Sequence, residues 1–361
     1  MDKFDTNYCY TFPAVRGVQA GKPFYIATCP LRIIPKIFIY DEEEVPAELR
    51  SQRTLNRSRI PEMTRYLVES PKEYVFSALT ASVGQSVEFT EADGTANLGT
   101  LKVAMDAQIL INDGQHRRAA IEEAIKENPE LGQDTIAVLF FVDEGLKRSQ
   151  QMFADLNKYA VRPSASLGTL YDHRDQASEL ARYLSMNATP FKGFTEFERS
   201  SISLRSSKIF TLSGIKQATR ALFAKGAKDL FSDQEQTDAL SFWNKLNQNM
   251  PEWQQVQNKT LSAAEFRQEY ITAHGIGLQA LAIVGNQITQ LEELEQERMF
   301  QNLSKVNWLK SNQAWSNRAL QHGRLSKAVS NIFLTAIEIK RQIGLHIINN
   351  DLIKEKELLN K

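Results

Sequence analysis

The segment from Ile111 to Ile125, INDGQHRRAAIEEAI, concentrates polar side chains that could bind an anion. An acid and a glycine come first, an amide and a histidine follow, and two arginines end the set: Asp113, Gly114, Gln115, His116, Arg117 and Arg118. The guanidinium group of arginine presents paired donors that match phosphate oxygens. Histidine can donate a hydrogen bond or carry a proton near neutral pH. The chemistry that this set favours is phosphate or nucleotide binding.

The flanking residues predict a turn between a strand and a helix at this position. Apolar residues alternate from Ala107 to Ile111, as in a strand that is buried on at least one face, and they recur at helical spacing from Ala119 to Ile125. A helix start leaves backbone N–H groups unpaired and favours an anion, and glycine lets a ligand approach the backbone. In a second interpretation, Asp113 only caps the helix and the two arginines are solvated.

An enzymatic function stays open for the same turn. An NTPase or a nuclease would use residues 113–118 with a nucleoside triphosphate and Mg²⁺ as cofactors. Hydrolysis needs a positioned water and a base, and Asp113 is the only acid inside the motif. The histidines outside the motif show no metal-ligand spacing, so we expect no structural metal.

Composition limits the class of protein. The 361 residues include 43 basic and 43 acidic side chains, so the net charge favours neither nucleic acid nor membrane as a partner. Two cysteines exclude a disulfide framework, and the sequence predicts neither a signal peptide nor a membrane span, which indicates a cytoplasmic protein. Cys29 lies near Arg32, where a lowered thiol pKa would suit a redox switch of DNA binding. Inert core packing is the alternative for this cysteine.

The chain divides into an α/β part and a helical part. Residues 1–166 alternate strands and helices, with a hairpin turning near Asp93 and Gly94, and predict an α/β domain with a mixed sheet. Residues 167–361 consist mainly of long helical patterns and predict a helical, DNA-binding domain. The predicted strands of the first part include KPFYIATCP, PKIFIYDEEE, YVFSALTASV and TIAVLFFVD, and its predicted helices include RIPEMTRYLVESP and EGLKRSQQMFADLNKYA.

Basic residues are segregated in this neutral chain. Neither the tract from Ser200 to Lys228 nor that from Arg298 to Ile337 contains an acid, and a further arginine cluster lies early in the chain. Surfaces kept clear of acids favour a polyanion, although the cations could instead be solvated or paired with acids elsewhere. The candidate DNA-binding residues are Arg57, Arg59, Arg205, Lys208, Lys216, Arg220, Arg318, Arg324 and Lys327.

Three segments together carry a resemblance to a known family. The sequences DGQHR at Asp113–Arg117, QQMFADLNKYAVRPSAS and FRQEYITAHGIGLQAL resemble the DndB family of DGQHR-domain proteins, and the resemblance covers nearly the whole chain. That family is associated with bacterial DNA phosphorothioation and is similar to the ParB/sulfiredoxin-like superfamily. The resemblance therefore implies a ParB/sulfiredoxin-like fold for the first domain.

The resemblance also implies roles for residues and for the chain. Gly114 would let the backbone approach a phosphate that His116 and Arg117 contact. Asn157 and Lys158 would close over a nucleotide or a DNA backbone, or would instead cap the end of the preceding helix. Gln115 stands where sulfiredoxins have their reactive cysteine, so sulfinic acid reduction is not expected. The implied function is a nucleoid-associated repressor that binds double-stranded DNA at the promoter of the modification genes. In a mixed form of this hypothesis, a bound nucleotide switches the DNA affinity. Other phosphorothioation proteins, or a second copy of the chain, are the further partners expected.

Overall fold

The computed structural model describes residues 8–38, 57–83, 87–107, 109–142, 151–152, 155–156, 163–227 and 229–360. The chain forms two compact units, Met1–Val161 and Arg162–Lys361. Asn157 and Lys158 lie outside the described residues, as does most of the helix predicted over residues 144–160.

The first unit is built on a mixed seven-stranded sheet. Its strands are β1 (Cys9–Gln19), β2 (Lys22–Pro30), β3 (Leu79–Val83), β4 (Glu88–Glu91), β5 (Leu98–Ala104), β6 (Ile109–Asp113) and β7 (Thr135–Val142). They lie in the order β4-β5-β1-β2-β7-β3-β6. The β3–β7 pair is parallel and the other neighbouring pairs are antiparallel. Strand β6, which leads into the polar turn, therefore forms one edge of the sheet.

Short helices accompany this sheet. They are α1 (Ile34–Ile37), α2 (Ile60–Glu69) and α3 (Gln115–Glu127), with 3-10 turns at Leu31–Ile33, Arg57–Arg59 and Pro129–Gln133. Helices α2 and α3 pack against each other. Leu67 from α2 and Ile121 from α3 are fully buried in the same apolar core as the sheet residues Ala81 and Val138. Burial of these faces stabilises the first unit.

The predicted α/β class is confirmed, and so is the strand-turn-helix order around the motif. The predicted hairpin is also confirmed: β4 and β5 form it, and Gly94 in its turn has a positive φ of 78°. The strand predicted over Pro35–Glu44 is wrong at its start, because Ile34–Ile37 is helical. Proline fixes its φ near the helical value and suits the first turn of a helix. The strand predicted from Tyr74 begins only at Leu79.

The second unit is mainly helical. Its helices are α4 (Ala165–Tyr171), α5 (Gln176–Asn187), α6 (Leu212–Leu222), α7 (Asp233–Gln248), α8 (Pro251–Gln257), α9 (Ala263–Glu269), α10 (Gly275–Ile288), α11 (Glu293–Leu303), α12 (Val329–Ile343) and α13 (Asn349–Leu359). Two-residue strands form the pairs β8 (Thr195–Glu196) with β9 (Phe210–Thr211) and β10 (Leu320–Gln321) with β11 (Arg324–Leu325). The core of the second unit includes the fully buried side chains of Phe191, Trp243 and Phe266.

One segment of this unit that was predicted as a single helical pattern forms two helices. The pattern AEFRQEYITAHGIGLQALAIVG gives α9 and α10 with a 3-10 turn at Ile271–Ala273 between them. A side-chain carbon at Gly277 would lie 2.5 Å from the carbonyl oxygen of Ile271, so glycine permits this close packing. Ile332, Ala336, Ile339 and Ile343 of α12 are buried in the core of the unit itself, whereas dimerisation stays a prediction.

Candidate functional site

The DGQHR turn joins the edge strand β6 to helix α3. Asp113 ends the strand, and Gly114 is the N-cap of the helix with φ 105° and ψ 15°. A side-chain carbon at Gly114 would lie 2.4 Å from Cδ2 of Leu79, so both the backbone angle and the packing require glycine. No side chain caps the helix start, and no acid lies in its first turn. A helix start of this kind favours an anion nearby.

Arg117 connects the helix to both sides of the turn. Its Nη2 donates to Oδ2 of Asp113 at 2.6 Å, and its Nη1 donates to the hydroxyl of Ser77, which precedes β3. The side chain of Arg117 is 15% exposed. Asp113 is therefore the ion-pair partner of Arg117 and not the helix cap.

Arg118 is also engaged within the first unit. It forms an ion pair with Glu122 one turn further along α3, and its Nη2 donates to the carbonyl oxygen of Pro35 at 3.0 Å. The arginines predicted to bind phosphate thus fasten α3 to residues 35 and 77, and phosphate binding at the turn stays a prediction.

Gln115 has a polar side-chain atom that could bind a ligand. The residue is 6% exposed, and its Nε2 atom is buried without a hydrogen-bond partner. An unpaired buried amide costs free energy comparable with a lost hydrogen bond. His116 is partly buried beside it. A phosphate at the helix start would supply the acceptor that Gln115 lacks.

Cys29 does not have the properties expected of a thiol switch. The residue is fully buried in β2, and burial raises the pKa of its thiol to about 12. Arg32 instead donates from Nη1 to Oε1 of Gln133 at 2.5 Å. The predicted lowering of the thiol pKa is therefore wrong, and the surroundings are those of an inert core cysteine.

Two of the predicted DNA-binding cations converge on one carboxylate. Lys216 Nζ lies 2.5 Å from Oδ2 of Asp175, and Arg220 Nη2 lies 3.0 Å from Oδ1 of the same residue. Asp175 is also the N-cap of α5 and accepts a hydrogen bond from the backbone N–H of Ser178 at 3.1 Å. The side chains of Lys216 and Arg220 are 18% and 13% exposed. Asp175 thus balances one of their two positive charges inside the unit.

A second carboxylate cluster holds Arg318. Its guanidinium lies 2.6 Å from Oε1 of Glu355 and 3.4 Å from Oε2 of Glu338, and Arg341 lies 2.6 Å from Oε2 of Glu355. Glu355 is 5% exposed. Burial acts to raise its pKa, but hydrogen bonds from Arg341 and Arg318 outweigh burial and lower it. This cluster joins α12 to α13.

The remaining predicted cations are more accessible. Arg57 and Arg59 lie exposed on the turn before α2, and Arg205 is exposed on the loop before β9. Lys208 is partly buried and donates from Nζ to the carbonyl oxygen of Gly193 at 2.8 Å. The two aromatic residues of the second acid-free tract, Trp308 and Trp315, are buried and stack on each other.

Arg324 and Lys327 lie exposed on or beside the short β10–β11 hairpin. His322 and Gly323 form its two-residue tip with φ values of 49° and 74°, as in the turns that suit tight hairpins. The buried Asn331 of α12 donates from Nδ2 to the carbonyl oxygen of Arg318 at 2.7 Å and to Oε1 of Gln321 at 3.2 Å. The base of the hairpin is fixed, and its basic end faces solvent.

The structural importance of Arg267 was not predicted from the sequence. Its guanidinium donates to the carbonyl oxygens of four residues in the loop before β9: Ser203, Leu204, Ser206 and Lys208. The carbonyl oxygen of Arg267 accepts from Lys310 Nζ at 2.7 Å and lies 2.8 Å from Nε2 of His274. Burial and the nearby Lys310 lower the pKa of His274 to about 4.

The comparison with protein families decides the classification. The family model of DndB, described as DNA-sulfur modification-associated, matches residues 12–346. The chain belongs to the DndB family. No curated protein and no solved structure gives a significant match. Membership in the DndB family associates the chain with DNA sulfur modification, whereas the likeness to the ParB/sulfiredoxin superfamily stays a prediction.

Two further findings concern this DndB-family chain. In the described ranges, no helix is both long and apolar enough to cross a bilayer. Over the same part of the chain, no group of three or more histidine, cysteine, aspartate or glutamate side chains is arranged to hold a metal ion.

Proposed function

We propose that the chain is a DNA-binding transcriptional regulator that represses DNA phosphorothioation genes. The observation that supports this function best is the exposed basic hairpin with Arg324 and Lys327 in a tract without acids, on a chain of the DndB family. Among the residues that the structure describes, neither cation lies within ion-pair distance of a carboxylate. Lysine and arginine that release counterions from DNA phosphates supply affinity that falls with salt.

The DNA surface that we propose is narrower than the set expected from sequence. It keeps the exposed Arg205, Arg324 and Lys327 of the second unit. DNA contacts of Arg57 and Arg59 in the first unit stay predictions. Lys216, Arg220 and Arg318 are left out because carboxylates inside the protein already pair with them. Lys208 is left out because it binds a backbone carbonyl group.

Neutralising the hairpin should weaken DNA binding. We expect Arg324→Gln/Lys327→Gln to lower the affinity for promoter DNA roughly tenfold or more, since two phosphate contacts are lost. The plot of log K against log salt should become less steep by about 2. Fluorescence anisotropy with the promoter of the modification operon, against scrambled DNA of equal length, measures both.

The control for this measurement is Lys72→Gln/Lys356→Gln, which removes the same charge from exposed lysines outside the proposed surface. Equal losses for the two double variants would show that the hairpin is not the contact surface. If the unmodified protein bound promoter and scrambled DNA equally well, the repressor function would be contradicted.

A nucleotide-dependent enzyme is a second candidate, favoured by the uncapped start of α3 and by the unpaired amide of Gln115. In this candidate, the helix start holds a phosphate of a nucleoside triphosphate with Mg²⁺, and the chain acts as a DNA-stimulated NTPase or nuclease. Asp113 is less suited to act as a base, because Arg117 holds its carboxylate.

The Gln115→Met variant tests this candidate without a large change in volume. If the amide has no ligand, removal of an unpaired buried polar group should leave the free energy of unfolding unchanged or raise it by about 1 kcal/mol. If the turn holds a phosphate of a nucleotide that the chain hydrolyses, the variant should release less phosphate from ATP and CTP than the unmodified protein does. Equal release from both proteins would exclude the site, and a melting curve shows that the variant folds.

A further inference from the structure

The second unit contains a cavity of about 470 Å³ beside the loop that Arg267 holds. This volume falls in the range of sites for small ligands, roughly 300–1,000 Å³. Its walls come from the loop before β9 and from the turn between α8 and α9, together with Phe194. The cavity lies in the second unit, whereas the DGQHR turn lies in the first.

The lining of this cavity combines an apolar wall with two cations. Phe194, Val256 and Leu261 supply the apolar surface, and Arg205 and Lys259 supply the charge. Among the described residues, no aspartate or glutamate lines it, and three serines do: Ser206, Ser207 and Ser262, whose hydroxyl donates to Oε2 of Glu265 at 2.7 Å. A ligand that matches this lining has a flat apolar part and about two negative charges.

The backbone at Lys259 adds a second observation. Lys259 has φ 62°, in the left-handed region that favours glycine, at the end of α8. Hydrogen bonds fix this turn, since the N–H of Lys259 donates to the carbonyl oxygen of Val256 at 3.1 Å and that of Thr260 donates to Gln255 at 2.9 Å. The turn therefore holds Lys259 at a fixed position beside the cavity, in the left-handed conformation that is common directly after a helix end.

Both walls are held in place without a ligand. Arg267 binds the carbonyl groups of the loop at residues 203–208, and Ser262 and Glu265 form a capping box at the start of α9. A preformed cavity loses little conformational freedom when it binds a ligand.

We propose that this cavity binds a nucleotide, with its phosphate between Arg205 and Lys259 and its base against Phe194. The phosphate supplies the negative charge that two cations without acids favour. The aromatic ring and neighbouring aliphatic side chains supply a surface for any base. The nucleotide is either free or an unpaired nucleotide of a DNA strand, because both present the same chemistry.

Isothermal titration calorimetry of the full chain with deoxyadenosine monophosphate tests this assignment. We expect inorganic phosphate and deoxyadenosine each to bind at least about tenfold more weakly, since each lacks one half of the recognised structure. A titration with a short oligothymidine tests whether the ligand is instead an unpaired nucleotide of a DNA strand. Binding of the mononucleotide indicates a free ligand, whereas binding of the oligonucleotide alone indicates a strand. Either result supports the proposal if the variants below weaken that binding.

Three variants locate the ligand. Lys259→Gly and Arg205→Gln should each lower nucleotide affinity by about tenfold. Lys259→Gly removes the cation while it relieves the left-handed backbone, so the melting temperature should stay the same or rise. Phe194→Leu should weaken nucleotide binding but leave binding of inorganic phosphate unchanged. Lys356→Gln, an exposed lysine on α13, is the control.

Several results would overturn the proposal. It is wrong if neither nucleotide nor oligonucleotide binds, if inorganic phosphate binds as tightly as the nucleotide, or if the variants bind like the unmodified protein. Its failure is separable from failure of the DNA-binding function. Promoter binding that depends on Arg324 and Lys327 and not on Lys259 would leave that function intact.

Discussion

Replacement of Arg267 by methionine should lower the free energy of unfolding by roughly 3 kcal/mol. Arg267 is 7% exposed, and it donates to the carbonyl oxygens of Ser203, Leu204 and Ser206 at 2.9–3.0 Å, and also to Lys208. No carboxylate shares in these contacts. The loop before β9 would lose the group that holds four of its carbonyl oxygens together.

Thermal denaturation measures this effect, and the melting temperature should fall by roughly 5–10 °C. Arg267→Lys is the informative second variant, because lysine keeps the charge but has a single nitrogen that cannot serve four acceptors. Arg205→Met, on the same loop but exposed, should change the stability by less than about 0.5 kcal/mol. A lysine variant as stable as the unmodified protein would contradict the role of the guanidinium geometry.

Replacement of Asp175 by alanine should destabilise the second unit by about 3 kcal/mol. The change removes the cap of α5 and leaves Lys216 and Arg220 without their common carboxylate. Both cations are mostly buried, although their partial exposure reduces the cost. Asp175→Asn separates the two effects, because asparagine can still cap the helix. This variant should lose only the stabilisation that comes from the ion pairs.

The same carboxylate predicts a dependence on pH. Burial acts to raise the pKa of Asp175, but hydrogen bonds from Lys216 and Ser178, with the charge of Arg220, outweigh burial and lower it. A carboxyl group with a lowered pKa in the folded state contributes stability above its unfolded pKa of 3.8 and loses it as pH falls through the folded value.

Melting temperatures between pH 3 and pH 7 test this dependence. The difference between the unmodified protein and Asp175→Asn should be constant above about pH 5 and shrink below about pH 4. Asp238→Asn, an exposed aspartate on α7, should show no such change. A difference that stays constant down to pH 3 would show that Asp175 is not held ionised by its partners.

These contacts decide which variants can test DNA binding. Charge reversal at Lys216 and Arg220 would place acids beside Asp175 and disrupt folding, so a loss of DNA binding would carry no information about the surface. The hairpin residues Arg324 and Lys327 avoid this difficulty because they are exposed.

Local patterns were sufficient for the strand, the turn and the helix around the motif. Apolar alternation predicts β6, and a glycine before a helical pattern predicts the turn. The partners of the arginines were not predictable, because Ser77 and Pro35 come to Arg117 and Arg118 only through packing of distant segments.

The ion-pair partners of the basic tracts were not predictable for the same physical reason. A tract without acids is a property of the linear sequence, whereas ion pairs form between residues that are close in space. Asp175 lies before the tract that contains Lys216, and Glu355 lies after the tract that contains Arg318. The prediction stays useful only where a basic residue is also exposed, as at Arg324.

The strand order of the first unit has a consequence for synthesis on the ribosome. Strand β7 lies between β2 and β3, and it follows every other strand of this sheet in the sequence. Until Thr135–Val142 has emerged from the exit tunnel, the four strands β4-β5-β1-β2 and the pair β3-β6 have no strand to join them. The nascent chain therefore exposes two unpaired edges, and completion of the sheet waits for its last strand.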